Sequence, residues 1–173
     1  MTESELRALV RDVPDYPRPG ILFKDITPLL GQPAALRSAC EAMADAFAGE
    51  RVTHVACIES RGFLFGSPIA MRLNAGVVPI RKKGKLPYAS EFEEYQLEYG
   101  TDALEMHVDA LPNGARVLVV DDVLATGGTA AAACRLIERL NGTAVGCSFL
   151  IRLGFLDGVE RLGGYRVKSV MVY

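Results

Sequence analysis

The run Arg116-Val117-Leu118-Val119-Val120-Asp121-Asp122-Val123-Leu124-Ala125-Thr126-Gly127-Gly128-Thr129 constrains this chain more than any other stretch. Residues 117–120 are short, apolar and largely β-branched, as a strand buried in a parallel sheet requires. Two adjacent carboxylates follow where such a strand is expected to end. The small residues 126–129 then open an alanine-rich helix. Ligands on open α/β sheets bind at the carboxyl ends of the strands. A turn of small residues opening a helix offers free N–H groups and the positive end of the helix dipole to an anion. The acidic pair accepts hydrogen bonds from hydroxyls or attracts a hydrated cation. A lone phosphate would be repelled by two carboxylates, whereas a sugar phosphate uses both halves of the segment.

Other strand ends supply matching chemistry. Residues 55–58 read as a buried strand, and Glu59-Ser60-Arg61-Gly62 follows directly, on the same sheet edge as Asp121. Gly62 lets backbone approach a ligand closely, and Arg61 beside successive N–H groups suits a pyrophosphate. Residues 77–80 read as another strand, and Arg81, Lys82, Lys83 and Lys85 cluster after it. A multiply anionic ligand needs such a cluster. Helices are expected over 4–12, around residues 36–47, over 62–73 and over 129–140, and further strands over 104–108, 144–151 and 165–172. The alternation of strands and helices specifies an α/β fold with a mainly parallel sheet. Residues 82–103 read as a polar, irregular connection, long enough to be a functional lid.

Bulk properties narrow the classes. The 173 residues suit one domain, and half of them are hydrophobic. A net charge of −2 and a pI near 5.7 argue against a nucleic-acid partner. No apolar run has the length of a membrane span, and the acidic start Met1-Thr2-Glu3-Ser4-Glu5 has no signal-peptide pattern. Cys40, Cys57, Cys134 and Cys147 are widely spaced in apolar stretches, which reads as buried reduced thiols in a cytoplasmic protein. His54 and His107 show no metal-ligand spacing and read as strand residues.

The run at 116–129 closely resembles the phosphoribosyl-pyrophosphate (PRPP) motif of the type I phosphoribosyltransferases. The resemblance implies that Asp121 and Asp122 hold the ribose hydroxyls while Ala125, Thr126, Gly127, Gly128 and Thr129 wrap the 5′-phosphate. Residues 59–66 resemble the family's pyrophosphate loop, with Arg61 as a ligand and a non-proline cis peptide at Ser60–Arg61. Residues 80–87 resemble the stretch before the flexible loop of the adenine-specific branch. That makes Arg81 a pyrophosphate ligand and Lys85 a ligand of its own or a partner's site. Leu97-Glu98-Tyr99-Gly100 looks like the catalytic loop, with Glu98 handling a proton on the purine and Tyr99 near PRPP.

Pro17-Arg18-Pro19-Gly20-Ile21-Leu22-Phe23-Lys24-Asp25-Ile26-Thr27-Pro28 is similar to the branch's N-terminal hood, placed here at about 1–32. The resemblance puts Phe23 on one purine face, Val123 on the other, and the backbone groups of Leu22 and Lys24 on the edge of adenine. An aromatic face suits a nucleobase. A 6-oxopurine presents the opposite donor–acceptor pattern and would leave those groups unpaired. The expected reaction is that of a pentosyltransferase: adenine plus PRPP gives AMP plus diphosphate, in purine salvage. Mg²⁺ is expected to arrive with PRPP rather than on a protein ligand set, and the family implies a homodimer. Two other readings compete: transfer to a different base, such as a 6-oxopurine or orotate, and a regulator that senses PRPP without turnover. The hood argues against the first. The acidic balance, and a length that leaves no room for a winged helix, argue against the second.

Overall fold

The computed structural model describes residues 1–96 and 101–173. Its centre is a seven-stranded sheet built from β3 (His54–Ile58), β4 (Gly76–Lys82), β5 (Ser90–Gln96), β6 (Thr101–His107), β7 (Arg116–Leu124), β8 (Thr143–Arg152) and β9 (Val167–Val172). The order across the sheet is β5-β6-β4-β3-β7-β8-β9. The five strands from β4 to β9 in that order are parallel, whereas β6 pairs antiparallel with both β4 and β5. The α/β class with a mainly parallel sheet is therefore as expected.

Alternation along β7 divides the core. Val117 and Val119 face a cluster containing most of α5 (Gly128–Arg139). Leu118 and Val120 face a second cluster formed with α3 (Pro33–Asp45) and α4 (Gly62–Leu73). Helices thus cover both faces, which is why the central strands read as nearly continuous apolar runs.

Chain order reverses between β3 and β7. From β3 the chain returns through α4 to β4 on one side, while β7 leads through α5 to β8 on the other. Such a switch point leaves a crevice at the carboxyl ends of the two strands. β3 pairs with β7 only as far as Cys57 opposite Val120, yet β7 continues beside β8 to Leu124 opposite Arg152. Asp121 and Asp122 therefore do not follow the strand, as expected, but lie within it. They sit where β7 has lost its β3 neighbour and is held by β8 alone.

Three other expectations are corrected. The helix expected over 4–12 is only α1 (Glu3–Arg7), because Arg11–Pro14 (β1) instead pairs antiparallel with Leu22–Asp25 (β2). The expected irregular connection over 82–103 is mostly regular. After a turn at Gly84 (φ +87°), β5 and β6 pair from Ser90 opposite His107 to Gln96 opposite Thr101. Its charges read as a solvated loop, but Glu93 is held against α5 by Arg135 at 2.6 Å and by Arg139. The non-proline cis bond lies at Glu59–Ser60, one bond earlier than expected. A second cis bond precedes Pro17.

Candidate active site

A cavity of about 390 Å³ opens at the switch point, lined by Glu59, Ser60, Arg61, Lys82, Tyr95, Asp102, Asp121, Asp122 and Thr129. A smaller one of about 80 Å³ lies under the turn into α5, lined by Asp121, Val123, Ala125, Thr126, Gly127 and Thr129 among others. Asp121 and Thr129 border both. The two cavities thus adjoin as the halves of a trough, with the turn into α5 at one end and charged groups at the other.

Period-two alternation gives the two acids different neighbours. Asp122 is buried at 4% exposure and forms an ion pair with Arg61, the residue preceding α4. Asp121 faces the trough, and its Oδ1 accepts the Asp122 N–H at 2.8 Å. Burial pushes the Asp121 carboxyl well above the usual range. The charge of Asp122 adds to that, while the same N–H and Arg61 oppose it. Gly62 lets the start of α4 come this close, since a Cβ there would lie 2.8 Å from the Val120 carbonyl oxygen and 3.1 Å from Asp121 Oδ1.

The cradle is made by backbone. Gly127 has φ +79°, a conformation that side chains disfavour. A Cβ on it would meet the Gly158 carbonyl oxygen at 2.4 Å, and one on Gly158 would meet the Ala125 carbonyl oxygen at 2.1 Å. The turn of residues 125–128 therefore rests directly on the start of α6 (Gly158–Arg161). α5 begins at Gly128, so its first N–H groups point into this turn.

The basic arm after β4 is organised by carboxylates. Glu59 accepts the Lys82 N–H at 3.1 Å, pairs with the Lys85 ammonium, and lies 3.5 Å from Arg81 Nε. Arg81 in turn donates to the Lys85 carbonyl at 3.0 Å. Buried Glu105 accepts the N–H groups of Lys85 and Leu86 at 2.8 and 2.7 Å and the Ser90 hydroxyl at 3.2 Å. Burial alone would raise the Glu105 pKa, but these donors outweigh it and hold the carboxyl below the usual range. Asp102 receives Lys82 at 3.1 Å and the Tyr95 hydroxyl at 3.3 Å.

Of the expected site residues, the structure brings Arg61, Asp121, Asp122, Val123, Ala125, Thr126, Gly127 and Thr129 together around the trough, with Arg81 and Lys85 beside Glu59 at its edge, while Gly128 borders a separate cavity on the flank of α5. Phe23 reaches the same region. Its ring stacks edge-on with Tyr16 at 5.1 Å and lies 5.4 Å from the Arg61 guanidinium. Val123 lines the small cavity, but Phe23 lines neither that cavity nor the large one, so the two walls expected for a purine do not meet in either. Lys24 extends away from the trough, pairing with Asp12 at 2.6 Å and lying 4.1 Å from the Tyr173 ring; Leu22 is half exposed. Glu98 and Tyr99 lie outside the described residues. Sequence reasoning gave no role to Glu59, Asp102 or Glu105. The signal for Glu59 was its place between a strand end and Arg61, while a lone Glu105 in an expected strand carried none.

Residues 26–168 match the model of the phosphoribosyl transferase domain. An adenine phosphoribosyltransferase of Rhodopirellula baltica is 57% identical over 169 residues, covering 98% of this chain and 82% of that one. The chain belongs to the adenine phosphoribosyltransferase family. The solved adenine phosphoribosyltransferase of Rhodothermus marinus superposes with a TM-score of 0.94 at 54% identity, covering 99% of this chain and 98% of that one. That of Saccharomyces cerevisiae, complexed with adenine and D-2,5-dideoxy-2,5-imino-altritol 1,6-bisphosphate, superposes with a TM-score of 0.91 at 37% identity over 97% of each chain. Within an adenine phosphoribosyltransferase, the trough is the candidate active site. The family match begins at residue 26, so the hood strand with Phe23 stands outside the matched domain.

Proposed function

We propose that the trough transfers the 5-phosphoribosyl group of PRPP to adenine, releasing AMP and diphosphate, with the residues assigned as follows. The observation that carries this is the sharing of Asp121 and Thr129 by the large and small cavities. A sugar carrying phosphate at one end and diphosphate at the other needs such a trough. The 5′-phosphate takes the N–H groups of residues 125–129. The ribose hydroxyls donate to Asp121 and Asp122, and the diphosphate meets Arg61, Lys82 and the arm of Arg81 and Lys85. As the bond to the leaving diphosphate lengthens, positive charge develops on the ribose, and the two fixed carboxylates oppose it. The relatives' name, adenine phosphoribosyltransferase, and the hood sequence support adenine as acceptor. A pocket built to answer its exocyclic amine and ring nitrogen rejects a 6-oxopurine by leaving polar groups unpaired.

Two adjoining carboxylates, one pushed toward its neutral form by burial and by its neighbour, are a donor set that a hydrated Mg²⁺ relieves. Asp121 and Asp122 would hold such an ion through its waters. Bound with PRPP, it would supply charge neutralisation at the diphosphate. The remaining proposals concern setting. Exposed Leu64 and Met71 on α4 support a homodimer, and four free buried cysteines support the cytoplasm.

The test is an assay with labelled adenine, PRPP and Mg²⁺, in competition with hypoxanthine, guanine and orotate. AMP and diphosphate should form, with adenine preferred. Preference for another base overturns the substrate assignment, and PRPP binding without turnover overturns the reaction.

A further inference from the structure

The cradle has a second support that the assignment above leaves unused. α6 lies against it through the Gly127–Gly158 contact, and the last residue of α6 is Arg161. Its guanidinium reaches the first residue of α5. A methyl group on Gly128 would lie 3.3 Å from Arg161 Nη1. Arg161 also borders a cavity of about 300 Å³ on the flank of α5, together with Gly128, Ala131, Tyr95 and Arg135. Arg135 is neutralised by Glu93, whereas the Arg161 guanidinium makes no hydrogen bond or ion pair among the described residues.

This placement has the wrong sign for stability. A helix N-terminus carries partial positive charge, so a cation there is repelled rather than held. Arg161 is exposed, and a cation carried to that point with no carboxylate partner among the described residues is understandable when a dianion completes the arrangement. The close approach of the two glycines is what seats α6 against the turn.

We infer that Arg161 is a positioning residue for phosphate recognition. Acting through the start of α5, its charge adds to that of the helix N-terminus and strengthens the hold of the cradle on the 5′-phosphate of PRPP and of AMP. The inference rests on the proposed placement of that phosphate at residues 125–129.

The test compares Arg161→Gln, Arg161→Lys and Thr129→Val with the parent enzyme. Arg161→Gln should raise KM for PRPP about twofold to fivefold, the range expected of an exposed charge at a helix terminus. KM for adenine and kcat at saturating PRPP should each change by less than about twofold. The melting temperature without ligand should stay level or rise, because a repulsion is removed, while the rise produced by saturating AMP should shrink. Arg161→Lys should restore most of the PRPP affinity. If Arg161→Gln leaves KM for PRPP at the parent value while Thr129→Val raises it, Arg161 has no such role and the cradle assignment stands. If neither variant moves it, both fail. If both Arg161 variants lower the melting temperature and weaken every substrate alike, the residue is merely structural and the inference is overturned.

Discussion

The turn of residues 125–129, proposed as the phosphate cradle, and the basic arm at residues 81–86 border the same cleft but keep their shape by different means. The cradle is contiguous in sequence and made of main chain, with Gly127 supplying the left-handed turn and Gly158 the support beneath it. The arm is made of long cationic side chains, which need partners to settle in one geometry. Its partners come from 19 to 26 residues away: Glu59 from the end of β3 and Glu105 from β6. A backbone site carries its geometry with it. A side-chain site borrows geometry from whatever the fold brings alongside, and its order depends on carboxylates supplied by other strands, Glu105 among them buried.

The sharpest break falls where both regions meet, at the acidic pair. Replacing Asp121 and Asp122 together by Asn should lower kcat by at least about a hundredfold, the effect of removing a fixed electrostatic group from a reacting centre. Circular dichroism should show the fold retained, and near-parental turnover would remove both residues from the mechanism. Gly127→Ala breaks the cradle alone. The methyl group forces a strained φ at a cost of about 1–3 kcal/mol, and it also collides with the Gly158 carbonyl. Binding of AMP and of PRPP, measured by calorimetry, should weaken together.

Glu105→Gln breaks the arm alone. Loss of charge-assisted acceptance from Lys85, Leu86 and Ser90 should destabilise the protein by about 1–3 kcal/mol. PRPP and diphosphate should bind less well while AMP, which has no diphosphate, is little affected. Equal losses for AMP and PRPP would mean that the two regions are not separable. The pH dependence follows from the direction in which the carboxyl is displaced. A carboxyl held below its ordinary pKa stabilises the fold above the unfolded value, and that contribution disappears as pH falls through the folded value. The penalty of Glu105→Gln should therefore be full at neutral pH and fade in acid.

The smallest effect has the opposite sign. Asp121 is held above its ordinary range, so its ionisation opposes folding increasingly as pH rises from the unfolded value through the folded one. Asp121→Asn should stabilise the ligand-free protein by roughly 1 kcal/mol at pH 8, since each tenfold weakening of an acid on folding costs about 1.4 kcal/mol. The gain should vanish near pH 3. A loss of stability at pH 8 would show that Asp121 serves the fold rather than the ligand.

Much of this was legible in local patterns. Strand ends, the glycine-rich opening of α5 and the arginine after β3 are neighbours in the chain, and parallel strands bring their carboxyl ends to one edge. The α/β class and the residues 121–129 follow from that. The helix expected over 62–73 appears with the same limits. What misled was composition without partners. The charges of residues 82–103 resemble a solvated loop until Arg135 and Arg139 are seen to receive Glu93, and Arg11 and Asp12 look helical until β2 lies beside them.

By itself, then, the amino-acid order determined the repeating α/β plan and the glycine-rich turn that opens α5, because each is set by contacts within a few residues. Tertiary structure alone decided that β7 outruns β3 beside the acids and that Glu59 and Glu105 gather the basic arm. It also decided that α6 carries Arg161 to the start of α5. Those outcomes depend on packing between distant segments, where the cost of burying a charge is met only by a partner that no local pattern reveals.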